Sequence, residues 1–472
     1  MTFARAIVWL RRDLRLSDNV ALFEATRVAR EIIPVFIVDP ALLASPRIGA
    51  PIAQCFFDAV GRLRARLRTL GSDLAILAGD PPERLVRFAR KVEAQAVFFN
   101  RDFDPAAIAR DDLAIRLLTK EGVAARSFLD HIALDPSVVR GPGGAYRVYT
   151  PFKRRWRDCY AVAPVRAVPS ERAIDGRLAS AAAIGDSDAT PSLERFGFTP
   201  SAAYPRCSES YARMLLKTFF SSGDARAYGD ARDVPSLDRT SHLSTQLRAG
   251  TIGIRTCFQR AFDAERDASL GSSVQRWTDQ LIWREFYQNI LESFPKVDGS
   301  PFVANAARIP WRDDGEGFTA WSEGRTGYPL VDAGMRQLNE TGWMHNRLRM
   351  ITASFLTKHL LVDWRLGERY FETHLADADL AQNNGGWQWA ASTGTDAVPY
   401  FRIFNPIVQG QRFDPDGAFV RKYIPELHGI EGAGVHEPWK YGGARGYPPP
   451  IVDHAIARAR AIETYRVALA RS

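Results

Sequence analysis

Residues 6–39 read AIVWLRRDLRLSDNVALFEATRVAREIIPVFIVD, and parsing this run decides the fold of the first third of the chain. Ala6 to Leu10 is an apolar run too short for a helix, followed by the charged segment RRDLRLSDN. Helical spacing of apolar residues covers Val20 to Arg30, and Ile32 to Val38 is a second apolar run closed by Asp39-Pro40. Strand, helix, strand is the parse, with strands apolar on both faces, as a parallel sheet covered on both sides requires. The pattern repeats downstream, with helices expected over Ala53 to Leu70, Pro82 to Val92 and Arg110 to Glu121. Strands are expected over Leu74 to Leu77, Ala96 to Phe99 and Val123 to Phe128. The first 132 residues are therefore read as an α/β, doubly wound parallel-sheet domain. Ligands of such sheets sit beyond the carboxyl ends of the strands, where RRDLRLSDN and NRDFDPAAIARD (residues 100–111) lie. No GxGxxG follows the first strand and no GxxxxGKS occurs, so a nucleotide held by a glycine-rich phosphate loop is not expected.

The chain has 472 residues, 46% of them hydrophobic and 25% charged, which suits a globular protein of two or three domains. No apolar run approaches the roughly 20 residues needed to cross a bilayer, so no membrane is expected. Cys55, Cys159, Cys207 and Cys257 are scattered without a CxxC pair. That spacing argues against a metal site and against disulfides, and fits a reducing cytoplasm. A formal charge of +8 permits a polyanionic partner and equally a merely solvated basic surface.

Residues 133–205 read as a connector. Within it, Tyr146 to Trp156 form a basic aromatic cluster, which can meet nucleic acid or start a helix packed on the next domain. Ala161 to Pro205 has the Ala, Pro, Ser and Asp content of a linker. From residue 206 to 472 the helical period takes over and alternating strand patterns vanish, so an all-α domain is expected. Helices are read over Glu209 to Phe220, Ile254 to Ala268, Ser272 to Ser293, Leu330 to Thr341, Asn346 to Leu361, Trp364 to Leu375 and Ala455 to Arg471.

This half concentrates unusual chemistry. Eight of the 11 tryptophans fall between Trp277 and Trp389. Trp343 to Arg412 joins four of them to arginines, to Asp377 and Asp379, and to the run NNGG. Indoles beside paired glycines suit the wall of a cavity for a large planar group. Thr240, Ser241 and Ser244 lie near a helix start, which can seat a phosphate or be a plain N-cap. Trp277, Gln280, Trp283 and Tyr287 are spaced three or four apart and share one helix face, as do Asn346 and Met350.

The phrases VWLRRDLRLSDNVAL, TSHLS, GWMHNRLRMITASFL and DADLAQNNGGWQW resemble the photolyase/cryptochrome family, most closely class I cyclobutane pyrimidine dimer (CPD) photolyases. The resemblance implies an FAD site made of Tyr228, Thr240, Ser241, His242, Leu243, Ser244, Trp277, Arg284, Arg349, Asp377, Asp379 and Asn383. In this likeness Asn383 is the group beside flavin N5, and Arg349 is the ionic partner of Asp377. Trp387, Trp364 and Trp311 match an electron-transfer chain, while Gln280, Trp283, Asn346, Met350 and Trp389 match the lesion pocket. Arg232, Arg347 and Arg402 match phosphate contacts. The implied function is light-driven repair of pyrimidine dimers in DNA by a monomer, with an antenna chromophore of folate or deazaflavin type near Phe103 and Asp104. One position departs from the nearest relatives. Class I enzymes usually carry glutamate where this chain has Gln280, and glutamine there is common in (6-4) photolyases and animal cryptochromes. Asn346 points the other way, because (6-4) enzymes typically place histidine at that position.

Overall fold

A computed structural model describes residues 2–185 and 187–470. Its amino-terminal part is a five-stranded sheet of β1 (Phe3–Leu10), β2 (Ala29–Val38), β3 (Ala75–Ala78), β4 (Ala96–Asn100) and β5 (Ala124–Phe128). The order is β3-β2-β1-β4-β5 with every pairing parallel. Ala6, Val8 and Leu10 feed the core on one face and Ile7 and Trp9 the core on the other, which is why the strand is apolar throughout. The crossovers are α1 (Val20–Val28), α2 (Ala50–Thr69), α3 (Pro81–Lys91) and α4 (Pro105–Lys120). Asn19 and Asp80 cap α1 and α3 through their side chains, and prolines open α3 and α4, where a missing N–H costs nothing. Helix α1 stops two residues short of the sequence reading. Ala29 pairs with Phe3, and Glu31 pairs with Arg5 both in register and as an ion pair, so the ladder claims these residues for β2.

The connector is more ordered than its composition suggests. Helix α5 (Tyr149–Val162) buries Tyr149, Phe152, Trp156 and Tyr160 in the core of the helical half. The buried Glu285 carboxylate accepts the N–H groups of Ala133 and Leu134 and the Nε1–H of Trp156. Burial pushes its pKa up to about 7. Further on, Leu178 bridges Ile32 on the edge of β2 away from β1, ahead of the point where β3 pairs. The cysteine expectation is overturned. Cys55 of α2 and Cys207, just before the first long helix of the second half, form a disulfide with Cα atoms 5.1 Å apart. Scattered spacing hid the pair because the fold, not the sequence, brings α2 against that segment. Peptide mapping without reductant should recover Cys55 and Cys207 in one linked fragment. Cys55→Ser should lower stability by about 2–5 kcal/mol, as closing a loop of 152 residues implies.

The rest is helical, as read. The elements that matter are α6 (Glu209–Ser221), α7 (Asp224–Ala231), α8 (Ser244–Ala249), α9 (Ile254–Glu265), α10 (Gly271–Ser293), α11 (Pro329–Thr341), α12 (Asn346–Ser354), α13 (Trp364–His374), α14 (Leu380–Ala391) and α15 (His454–Ala470). Arg471, read as the end of α15, lies outside the described residues. The helix expected over Asn346 to Leu361 changes at Phe355 into a π-helical turn ending at Leu360. There Thr357 returns its hydroxyl to the Ala353 carbonyl, and the fully buried Lys358 reaches Ala391 O and Ser392 Oγ at the end of α14. Among the described residues no helix is long and apolar enough to cross a membrane.

Candidate functional site

Helices α7, α8, α10, α12 and α14, with the 375–379 turn, enclose a cavity of about 490 Å³. Tyr228, Ser241, Leu243, Ser244, Trp277, Arg284, Arg349, Asp377, Asp379 and Asn383 line it, and so do Gln280, Trp283, Asn346, Met350, Trp387, Trp389 and Arg232. Residues from 228 to 389 therefore meet at one place. NNGG lies inside α14, where its two glycines do different work. A Cβ on Gly385 would stand 2.1 Å from the Tyr287 ring, so glycine permits the α10–α14 contact. A Cβ on Gly386 would meet nothing within 4 Å, because that residue faces the open cavity.

Asp377 and Arg349 pair at 2.8 Å, as expected, with the carboxylate side chain only 3% exposed. The second oxygen, Oδ1, is buried without a partner in the protein. Trp387 Nε1, on the cavity wall, is also buried without a partner, whereas Thr240, whose Oγ1 is unpartnered too, does not line the cavity. Such groups normally carry hydrogen bonds, so the cradle fits a polar, planar ligand such as a flavin. Asn383 donates Nδ2–H to Glu368 O at 2.9 Å, which fixes the amide at the cavity wall. Asp379 is committed elsewhere. Its carboxylate caps α14 through Ala381 N, accepts from Gln288 at 3.0 Å and pairs with Arg12 of the sheet domain. Arg12 accordingly holds its pKa well below the usual carboxylate range despite burial. Arg284 donates to His131 O at 2.7 Å, and burial with the neighbouring Arg284 and Arg12 lowers His131 to about 3, leaving it neutral.

The lesion-pocket candidates are also together. Asn346 and Met350 face each other one turn apart, Nδ2 lying 3.9 Å from Sδ. Trp283 and Trp389, from α10 and α14, are half-buried on the rim. Other expected residues do not line the cavity. His242 turns away in a left-handed conformation (φ 49°), pairs with Asp238 at 2.8 Å and lies against Trp343. Arg347 pairs with Asp233 at 2.8 Å and covers the Phe413 ring, and Arg402 is exposed on a turn. Trp387 packs into the space left by Gly367 of α13, three residues from the buried Trp364. Trp311 is half-buried against Tyr465, 6.1 Å between ring centres. Trp321, buried 6.0 Å from Trp387, was missed, because nothing in its sequence setting distinguishes it from core.

A second cavity of about 540 Å³ lies at the carboxyl ends of the strands. Trp9, Arg11, Arg12, Asp102, Asp104 and Phe56 line it, while Phe103 is buried beneath the Arg101 guanidinium and does not. Burial and the neighbouring Asp102 push Asp104 up to about 7. Arg248 lines both cavities, donates to Ala378 O and keeps Nη1 buried without a partner. It was missed because the sequence does not show that α8 stands between the two spaces. Among the described residues no group of three His, Cys, Asp or Glu is placed to hold a metal ion.

A doubly wound sheet joined to a helical domain with a flavin-type cradle is the architecture, and comparison with known proteins shows the family it belongs to. The DNA photolyase profile matches residues 6–170, and that for the FAD binding domain of DNA photolyase matches residues 277–467. A deoxyribodipyrimidine photo-lyase of Halobacterium salinarum is 42% identical over 97% of this chain and 98% of its own length. The crystal structure of a class III photolyase from Agrobacterium tumefaciens superposes with a TM-score of 0.89 at 36% identity, covering 99% of this chain and 98% of that one. An archaeal photolyase from Sulfolobus tokodaii, solved with two FAD molecules, gives 0.85 at 31% identity over 98% of this chain and 100% of that one. The chain belongs to the DNA photolyase family.

Proposed function

We propose that the protein is a light-dependent lyase that repairs cyclobutane pyrimidine dimers in DNA. One observation carries the reading: a flavin-type cradle and two rim indoles, Trp283 and Trp389, open into the same cavity with Asn346 and Met350. Reduced FAD, when bound, supplies a photo-excited electron that is lent to the dimer and returned after the ring opens. The residues of this chain do the rest. Arg349, Asp377 and Asn383 hold the flavin ring, and Arg284 and Trp277 extend the cradle. Trp283 and Trp389 receive the extruded pyrimidines, and stacking at about 1–3 kcal/mol per base offsets the few kcal/mol of unstacking. Asn346 and Gln280 offer amide hydrogen bonds to base edges. Arg232, Arg347 and Arg402 meet phosphates, in keeping with the formal charge of +8. Asp233 pairs with Arg347 and lies 3.7 Å from Arg232, so bound DNA must displace a carboxylate there. Trp387, Trp364 and Trp311 carry the electron that reduces the flavin. The cavity at the strand ends takes a second, light-harvesting chromophore of folate or deazaflavin type, with Asp104 and Arg248 as its polar partners. The reading carries with it a monomer acting on DNA; the expected cytoplasmic setting loses its cysteine argument with the Cys55–Cys207 disulfide.

Gln280 favours a second reading, repair of the (6-4) lesion, and Asn346 opposes it. Presented with oligonucleotides carrying each lesion, illuminated reduced protein should restore the pyrimidines of the CPD and leave the (6-4) product unchanged. The reverse would make it a (6-4) enzyme. Restoring neither, with a photoreducible flavin, would make it a cryptochrome-type photoreceptor. Gln280→Glu should raise the CPD repair yield, since a carboxyl group can donate a proton to the dimer where an amide only hydrogen-bonds. An unchanged or lower yield would contradict that account of the position.

A further inference from the structure

The indole of Trp283 has one face already taken. Tyr149, from the first turn of α5, stacks on it with ring centres 3.6 Å apart and planes 9° from parallel. Tyr149 is buried and does not line the cavity, so the face that Trp283 leaves free is the one towards the cavity. Phe286 stands edge-on to both rings, at 5.6 Å from Trp283 and 5.8 Å from Tyr149. Two hydrogen bonds fix the tyrosine itself. Its hydroxyl donates to Asp279 O at 2.8 Å, one turn before Trp283 on α10. Its N–H donates to Asp396 Oδ2 at 3.1 Å, and the neighbouring Arg147 O accepts the Thr395 hydroxyl. Residues 395 and 396 belong to the turn that follows Trp389 and leads to Arg402. The start of α5 thus holds one rim indole directly and the chain after the other by two bonds.

We infer that Tyr149 is a positioning residue for the lesion, holding Trp283 as the inner plate of a stack that an extruded pyrimidine completes. The inference rests on the proposed role of Trp283 in receiving the dimer. A ring already stacked on one face loses little freedom when a base arrives on the other, so the ordering cost of binding is met in the free protein instead. Tyr149 touches neither flavin nor reacting atoms, so its loss should weaken capture of the lesion and leave the photochemical step alone. The basic aromatic cluster around Tyr146 to Trp156 thereby serves the substrate from beneath rather than by contact.

The test compares Tyr149→Leu, Tyr149→Phe and Trp283→Ala in the full chain, each checked for FAD content and melting temperature. Tyr149→Leu should raise the KM for a CPD oligonucleotide about tenfold, the lower range of what losing one stacking partner does. Its repair rate at saturating substrate should stay near that of the parent. Tyr149→Phe keeps the stack and should restore most of the affinity. Equal KM for Tyr149→Leu and parent, while Trp283→Ala raises KM, would overturn the inference alone. Unchanged KM in Trp283→Ala would overturn the reading of the pocket beneath it. A Tyr149→Leu protein that loses FAD or melting temperature along with affinity, with Tyr149→Phe no better, would assign Tyr149 to the core and overturn the inference.

Discussion

Asp377→Ala should leave the protein without its flavin. The carboxylate is almost fully enclosed, pairs with Arg349 at 2.8 Å and keeps Oδ1 without a protein partner. Removing it deletes the ligand's polar contact and strands a guanidinium whose side chain is 27% exposed. A hydrogen bond to a charged group is worth about 1.5–3 kcal/mol, and the near-complete enclosure of this carboxylate puts the lost ligand contact at the upper end. At about 1.4 kcal/mol per tenfold, FAD should bind roughly a hundredfold more weakly. Asp377→Asn, which retains an acceptor and loses the charge, should fall between. Absorbance of the purified variants and reconstitution with added FAD measure both. Full retention of flavin in the alanine variant would contradict the assignment of this carboxylate.

Trp387→Phe should abolish photoreduction and spare repair. The indole is buried at the cavity wall, packed against Phe371 at 4.9 Å and Trp321 at 6.0 Å, so phenylalanine keeps most of the contacts. Phenylalanine is far harder to oxidise, and the first hop out of the cavity is lost. Under blue light with an external donor, flavin reduction in the variant should fall close to the detection limit. Chemically reduced variant should repair a CPD oligonucleotide at nearly the parental rate, because the electron lent to the dimer does not pass through Trp387. Trp321 makes the experiment sharper. Photoreduction that survives in Trp387→Phe would place the first hop on another residue, and a parallel loss of repair would show that Trp387 holds the cavity's shape.

Much of this was legible in the sequence, for definite reasons. Strand and helix periods are local properties, so the alternating segments before residue 130 and the helices after 206 announced themselves. Residues on one helix face, such as Asn346 with Met350 or Gln280 with Trp283, could be paired by spacing alone. What stayed hidden depends on distant chain segments meeting. Cys55 and Cys207 are 152 residues apart in sequence. Asp379 lines the cavity as read, and only the packing of the sheet domain shows that Arg12 pairs with it as well. His242 belongs to the TSHLS phrase, yet a left-handed backbone at that residue turns its ring out. Tyr149 belongs to the basic aromatic cluster read either as a nucleic-acid contact or as a helix start packed on the next domain, and it is packed; its partner Trp283 lies 134 positions further on, a distance that no helical or strand period reaches. The π-helical turn at Phe355 carries Lys358 to partners at the end of α14, a meeting that the sequence of α12 alone does not contain.

The most direct test of the account is repair itself. Purified protein, with its flavin chemically reduced, is mixed with a single-stranded oligonucleotide containing a CPD, and the return of pyrimidine absorbance is followed in the dark and then under blue light. The account predicts no recovery in darkness and recovery that begins with illumination and continues over many turnovers. Protein that binds FAD and photoreduces it normally, yet restores no pyrimidine absorbance under light, would contradict it.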